Sequence, residues 1–146
     1  MKALIVFDSN FGNTRKIAEV IAGELGNDAA VVAVSDFDQQ QLIGVDLLIV
    51  GSPIIAWKPT EKILEFLEDL NKEQLKGVKI TAFDTRVKLF IHGDAKEKIA
   101  TKLESLGARI IIGPQAFYVK GKEGPLLDGE LYRVASWIKS LKLKLN

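Results

Sequence analysis

ALIVFDSNFGNTRKIAEVIAGELG, residues 3–26, carries the chain from strand to helix in a single passage. Residues 3–7 form an unbroken apolar run that stops at Asp8, the pattern of a strand buried on both faces. Ile17, Val20, Ile21 and Leu25 then recur at helical spacing, and Gly26-Asn27 supplies a stop. Between them lies Asp8-Ser9-Asn10-Phe11-Gly12-Asn13-Thr14, a loop rich in small hydroxyls and amides around a lone glycine.

The same alternation continues outward. Residues 29–34 are a second β-branched run, followed by a short helix expected over 38–43. Residues 47–50 give a third strand, ended by Gly51-Ser52-Pro53. Thr60 is placed to cap a helix with Ile63, Leu64, Leu67 and Leu70 on one face. A fourth strand covers 78–83; Ala95, Ile99, Leu103 and Leu106 line the next helix, closed by Gly107. Residues 109–112 and 116–119 read as a fifth strand bent at Gly113-Pro114, and Asp128 as the cap of a last helix with Leu131, Val134, Ala135, Ile138 and Leu141 inward. Parallel strands need helical crossovers of one hand, so five strands alternating with five helices predict a parallel sheet covered on both faces.

At 146 residues the chain is expected to form one domain over 1–146, and 47% hydrophobic with 27% charged residues describes a globular protein. No apolar run approaches the roughly 20 residues of a bilayer span, and the opening run is too short for a signal peptide. With no cysteine there is neither a disulfide frame nor a thiolate site, which suits a reducing cytosol. Residues 1–73 carry 6 Lys+Arg against 12 Asp+Glu and residues 74–146 carry 14 against 7, so the formal +1 conceals halves of −6 and +7. If the two halves occupy opposite sides of one sheet, such a dipole orients charged partners during encounter; the alternative is a solvated surface with uneven charge. The lysines from 139 to 144 have no interleaved aromatics and read as a solvated helix face, not a nucleic-acid surface.

In a sheet of this kind ligands bind outside the carboxyl ends of the strands, so the loops there decide the chemistry. After the first strand, a helix N-terminus with Ser9, Asn10, Asn13 and Thr14 offers donors to an anion. Neither the lysine-bearing nucleotide loop nor the dinucleotide glycine fingerprint is present, which points to a phosphate monoester bound by neutral donors without Mg²⁺. After the third strand, two prolines stiffen a loop with apolar residues and Trp57, which either offers a surface to a flat aromatic ring or packs against the helix that follows. After the fourth strand come Asp84, Thr85 and Arg86, with Phe90 and His92 close behind. His92 alone makes no metal site.

Taken together, the three loops resemble those of the flavodoxin family. S-N-F-G-N-T looks like its FMN phosphate loop, G-S-P-I-I-A-W-K-P-T like the loop beside the isoalloxazine, and A-F-D-T-R like the loop after the fourth strand; the ending over 124–137 is similar to the tail of the short-chain members. The resemblance implies a flavodoxin-like three-layer sandwich with strand order 2-1-3-4-5 and FMN as cofactor. It implies that Ser9, Asn10, Phe11, Gly12, Asn13 and Thr14 hold the phosphate. Ser52, Pro53, Ile54, Ile55, Ala56 and Trp57 would border the ring and ribityl chain, with Trp57 stacking; Asp84, Thr85 and Arg86 would close the pyrimidine side, partly through backbone groups. No catalytic residue and no metal is implied.

Three departures stand out. The stacking tyrosine common after the fourth strand is missing, with Phe90 the nearest aromatic; no glycine follows Trp57 where many flavodoxins flip a peptide; and Lys58, Arg86, Lys88 and His92 replace the usual acidic surroundings. Positive groups favour the anionic reduced flavin, so a less negative potential for the second electron is expected.

The function implied is shuttling of one or two electrons between a reductase and an acceptor protein, by a monomer or weak dimer. The alternative is a small FMN-dependent oxidoreductase acting on quinones or porphyrinogens, whose basic loop attracts an anionic substrate. A phosphoacceptor domain of the same topology needs a carboxylate at the end of the third strand, where this chain has Gly51-Ser52.

Overall fold

The computed structural model describes residues 1–88 and 93–145. The expectations placed on Phe90 and His92 lie outside the described residues. The chain runs β1 (Ala3–Phe7), α1 (Asn13–Leu25), β2 (Ala29–Ala33), β3 (Leu47–Pro53), α2 (Glu61–Asp69), α3 (Lys72–Leu75), β4 (Lys79–Val87), α4 (Lys96–Ser105), β5 (Arg109–Ile110), β6 (Gln115–Val119) and α5 (Glu130–Leu145). Every pairing of these strands is parallel, in the order β2-β1-β3-β4-β5, with β6 continuing beside the later half of β4. The chain thus has the flavodoxin-like topology.

Side chains of successive strand residues leave opposite faces, and both faces here are covered. From β1, Leu4 and Val6 join Leu48, Val50, Ile80, Ile63, Leu67, Ile99 and Leu103 under α2 and α4. Ile5 and Phe7 join Leu47, Ile49, Phe83, Phe117, Ile17, Ile21, Trp137 and Ile138 under α1 and α5. Each such side chain contributes about 1.5–3 kcal/mol on full burial, so two cores clamp the sheet. Gly51 makes room on the second face: a Cβ there would stand 2.1 Å from the Phe83 ring. Trp137 packs edge-on to Phe83 and Phe117 and donates its indole N–H to the Gly113 carbonyl at 3.2 Å, so it belongs to the core.

Local chemistry explains where the elements differ from the sequence reading. The helix expected over 38–43 is a single 3₁₀ turn, Gln39–Leu42, closed by a capping box between Asp38 and Gln41. A second box, Asn71 with Gln74, makes the short α3 that the apolar pattern did not reveal. The fifth strand is in two pieces, as Gly113-Pro114 requires, because proline has no N–H for the ladder. Thr60 caps α2 by accepting from the Ile63 N–H at 3.3 Å. The start of α5 corrects the expected cap: Gly129, not Asp128, flanks the helix, and its carbonyl accepts the first bond from Arg133.

Strand order separates the strands of the two halves of the sequence, while α5 of the second half packs against α1 of the first. β2, β1 and β3, from the acidic half, lie on one side of the sheet; β4, β5 and β6, from the basic half, lie on the other.

Candidate functional site

The order 2-1-3 reverses direction beside β1, so the loops after β1 and β3 diverge and leave a crevice at the carboxyl edge. An open cleft of about 150 Å³ lies there, lined by residues of the first loop (Ser9, Asn10, Phe11, Asn13, Thr14), the second (Pro53, Ile54, Ile55), the end of β4 (Thr85, Arg86, Val87), and Val119 and Lys122.

The first loop is a tight turn that leads into α1. Asp8 donates its N–H to the Gly51 carbonyl at 3.1 Å, and the Ser9 N–H bonds the Asp8 carboxylate at 2.9 Å, which anchors the loop to β3. The Ser9 hydroxyl accepts from the Gly12 N–H at 3.0 Å and closes a tight turn. Gly12 flanks α1 with φ +92, a left-handed conformation that a side chain strains, and no side chain caps the helix. The first intrahelical bond is Lys16 N–H to Gly12 carbonyl, so the N–H groups of Asn13, Thr14 and Arg15 have no intrahelical acceptor. These amides and the helix dipole favour negative charge at that point.

Two side chains expected at the phosphate also tie the loop to its neighbours. Thr14, buried, shares a 3.1 Å hydrogen bond with the Thr85 hydroxyl and so links the first loop to β4. Asn13 donates its amide to the Glu123 carbonyl at 3.3 Å, beneath Gly124 (φ +101), where a Cβ would stand 2.6 Å from the Asn13 amide. This contact docks residues 120–126 against α1 and brings Lys122 and Val119 into the cleft wall. Sequence reasoning missed both, because only the fold carries that loop back to α1. A glycine followed by proline at 124–125 was the one local sign of a shaped turn.

The second loop divides in the same way. Pro53, Ile54 and Ile55 line the cleft. Ser52 is buried and turned inward: its hydroxyl donates to the Pro53 carbonyl at 2.8 Å and accepts from the Thr60 N–H at 3.1 Å, bracing the loop against its own helix. Ile55 and Lys58 exchange backbone bonds of 2.8 and 3.2 Å around a two-residue turn in which Ala56 and Trp57 both have positive φ, as in a type I′ turn. Two non-glycine residues there store roughly 1 kcal/mol or more each. The Trp57 carbonyl accepts from the Asp94 N–H at 3.1 Å, and Gly93 lies so close that a Cβ would overlap the Trp57 backbone. Trp57 itself is 58% exposed and Ile55 40%; Trp57 and Ala56 stand outside the cleft wall.

The third loop holds a buried charge cluster. Arg86 donates its Nε to Asp84 Oδ1 at 2.9 Å and its Nη2 to Asp84 Oδ2, and reaches Asp94 at 3.3 Å. Asp84 Oδ2 also accepts from the Ala95 and Lys96 N–H groups at 3.3 and 3.0 Å, which seats it on the N-terminus of α4. Burial opposes the Arg86 charge, but hydrogen bonds and Coulomb attraction from Asp84 and then Asp94 prevail, and its pKa is raised above its ordinary value. The expected free cation at Arg86 is therefore neutralised by two carboxylates. Lys58 is also paired, at 3.4 Å from Glu61. Of this trio, Thr85 and Arg86 line the cleft and Asp84 does not.

A doubly wound α/β module with its cleft at the reversal of strand order is the class that this fold defines. A flavodoxin-domain family profile matches residues 4–119, so the chain belongs to the flavodoxin-domain family. It is 33% identical over 88 residues to a flavodoxin of Clostridium beijerinckii; the match spans 54% of this chain and 60% of that protein. In solved structures the fold is similar to that of oxidised flavodoxin 1 from Bacillus cereus, with TM-score 0.83, 19% identity and full coverage of both chains. An archaeal flavodoxin gives TM-score 0.81 and 21% identity, again over the whole of both chains.

Proposed function

We propose that the protein binds FMN non-covalently and carries one or two electrons between a reductase and an acceptor protein. The carrying observation is the cleft: unsatisfied amides at the start of α1 stand at one end of it, and Pro53, Ile54, Ile55 and Val87 provide apolar wall at the other. This donor set fits a phosphate monoester attached to a flat, largely apolar ring system. Ser9, Asn10, Phe11, Gly12, Asn13 and Thr14 would hold the phosphate, with the backbone amides of Asn13, Thr14 and Arg15 as principal donors. Lys122, in the same wall, adds a cation that a neutral-donor site lacks.

Ile54, Ile55 and Thr85 would border the ring, with the backbone of 85–87 on the pyrimidine side and Trp57 at the exposed edge. When bound, FMN supplies reversible one- and two-electron chemistry, while the protein sets its orientation and electrostatics. Asp84 and Arg86 act at one remove, by fixing the start of α4 and the Trp57 turn that rests on it. Among the described residues no helix is long and apolar enough to cross a membrane, and no cluster of potential metal ligands is found. We place the protein in a reducing compartment on its lack of cysteine.

The test separates a carrier from an enzyme. FMN-loaded protein incubated with NADPH and a quinone should show no turnover of its own, yet should accelerate reduction of cytochrome c once a flavodoxin reductase is added. Direct NADPH-dependent quinone turnover would favour the oxidoreductase.

A further inference from the structure

Around the cleft mouth stand three exposed apolar side chains, Phe11, Ile55 and Trp57, at 46%, 40% and 58% exposure. Apolar rings left in water at the rim of a site mark a surface that is covered part of the time. On the β4–β6 side of this mouth the exposed charges are mostly cationic: Lys88 follows β4, Lys120 follows β6, and Lys122 lies in the cleft wall itself. Lys88 is steadied over the Tyr118 ring at 5.5 Å, and Lys120 is held where its N–H bonds the Pro125 carbonyl at 2.9 Å. Glu123, in the same loop, is the nearby carboxylate, and its carbonyl is fixed on Asn13.

Strands β4 and β6 carry these lysines at their carboxyl ends, so an acidic partner approaching the mouth is turned toward Lys88 and Lys120. Arg86 takes no part, because Asp84 and Asp94 neutralise it.

We infer that the cleft mouth is the docking surface for an acidic electron-transfer protein, its carboxylates against Lys88 and Lys120 and its apolar centre on Phe11, Ile55 and Trp57. The inference rests on the carrier reading above. Charge complementarity of this kind acts mainly on encounter, raising association rates about 10- to 1,000-fold at low salt and fading as the Debye length falls below about 8 Å.

The test uses FMN-loaded protein reduced with dithionite and mixed in stopped flow with two ferric probes, an acidic rubredoxin and the basic horse cytochrome c. In each encounter one electron leaves the reduced flavin and one ferric centre becomes ferrous, with no atom transferred. The rate with rubredoxin should fall about 10-fold or more between about 20 and 500 mM NaCl, and the rate with cytochrome c should not fall. Lys88→Glu with Lys120→Glu, both outside the cleft wall, should cut the low-salt rubredoxin rate about 10-fold and flatten its salt dependence, with FMN affinity within about two-fold. A falling salt profile with cytochrome c, or a double variant that keeps the rubredoxin rate within two-fold, would overturn the docking proposal alone. A preparation that does not take up FMN at all would overturn the carrier reading and this proposal with it.

Discussion

Replacing Arg86 by methionine keeps most of the side-chain volume and removes the charge that neutralises Asp84. Asp84 has a fully buried side chain, and Arg86 is 6% exposed, so solvent cannot substitute for the lost guanidinium. Removing one partner of a buried pair costs about 3–5 kcal/mol, because the other charge stays buried without compensation. Two amide donors, Ala95 and Lys96, still hold the carboxylate at the α4 N-terminus, which places the expected loss near the lower end, about 3 kcal/mol. For a chain of this size that corresponds to a fall in Tm of roughly 6–12 °C. Urea denaturation of the apoprotein measures it directly. The double variant Asp84→Leu, Arg86→Met removes both charges and should be much closer to wild type than Arg86→Met alone. A single variant that loses less than about 1 kcal/mol, or a double variant whose loss equals the sum of the two singles, would refute the coupling.

Other changes probe the loops. Gly124→Ala must place a methyl 2.6 Å from the Asn13 amide at φ +101; it should destabilise by about 1–3 kcal/mol and weaken FMN binding as Lys122 moves out of the wall, both read from one titration and one melt. Gly51→Ala drives a Cβ into the buried Phe83 ring and should cost about 1–3 kcal/mol in chemical denaturation; an unchanged midpoint would contradict the tight fit. Ala56→Gly relieves a positive φ in the Trp57 turn and should stabilise the protein by about 0.5–1 kcal/mol; a loss of stability would mean that the turn is unstrained.

Much of this was legible in the sequence for a physical reason. Continuous apolar runs such as residues 47–50 report burial on both faces, and the 3.6-residue stripes of α2 and α4 report one-sided packing, so class and order of elements followed. The turn before α1 was readable as well, since it depends on backbone conformation that Gly12 and the short polar residues favour locally. What escaped depends on which way a strand residue faces and on contacts distant in sequence. Asp84 and Arg86, two apart, must share the face of Ile80 and Ala82, and period-two bookkeeping on A-F-D-T-R was the available sign of an internal pair. Instead the arginine was read as a free cation near the ring. Lys122 carried no local signal, because its place in the cleft depends on an Asn13–Glu123 contact across 110 residues.

The central claim is that the loop over 9–14 is a seat for a phosphate monoester. Titrating apoprotein with FMN and with riboflavin, by quenching of flavin fluorescence, tests it most directly. Two or more charge-assisted hydrogen bonds to the phosphate, each worth about 1.5–3 kcal/mol, predict FMN binding at least about 100-fold tighter than riboflavin. Equal affinity for the two would contradict the account.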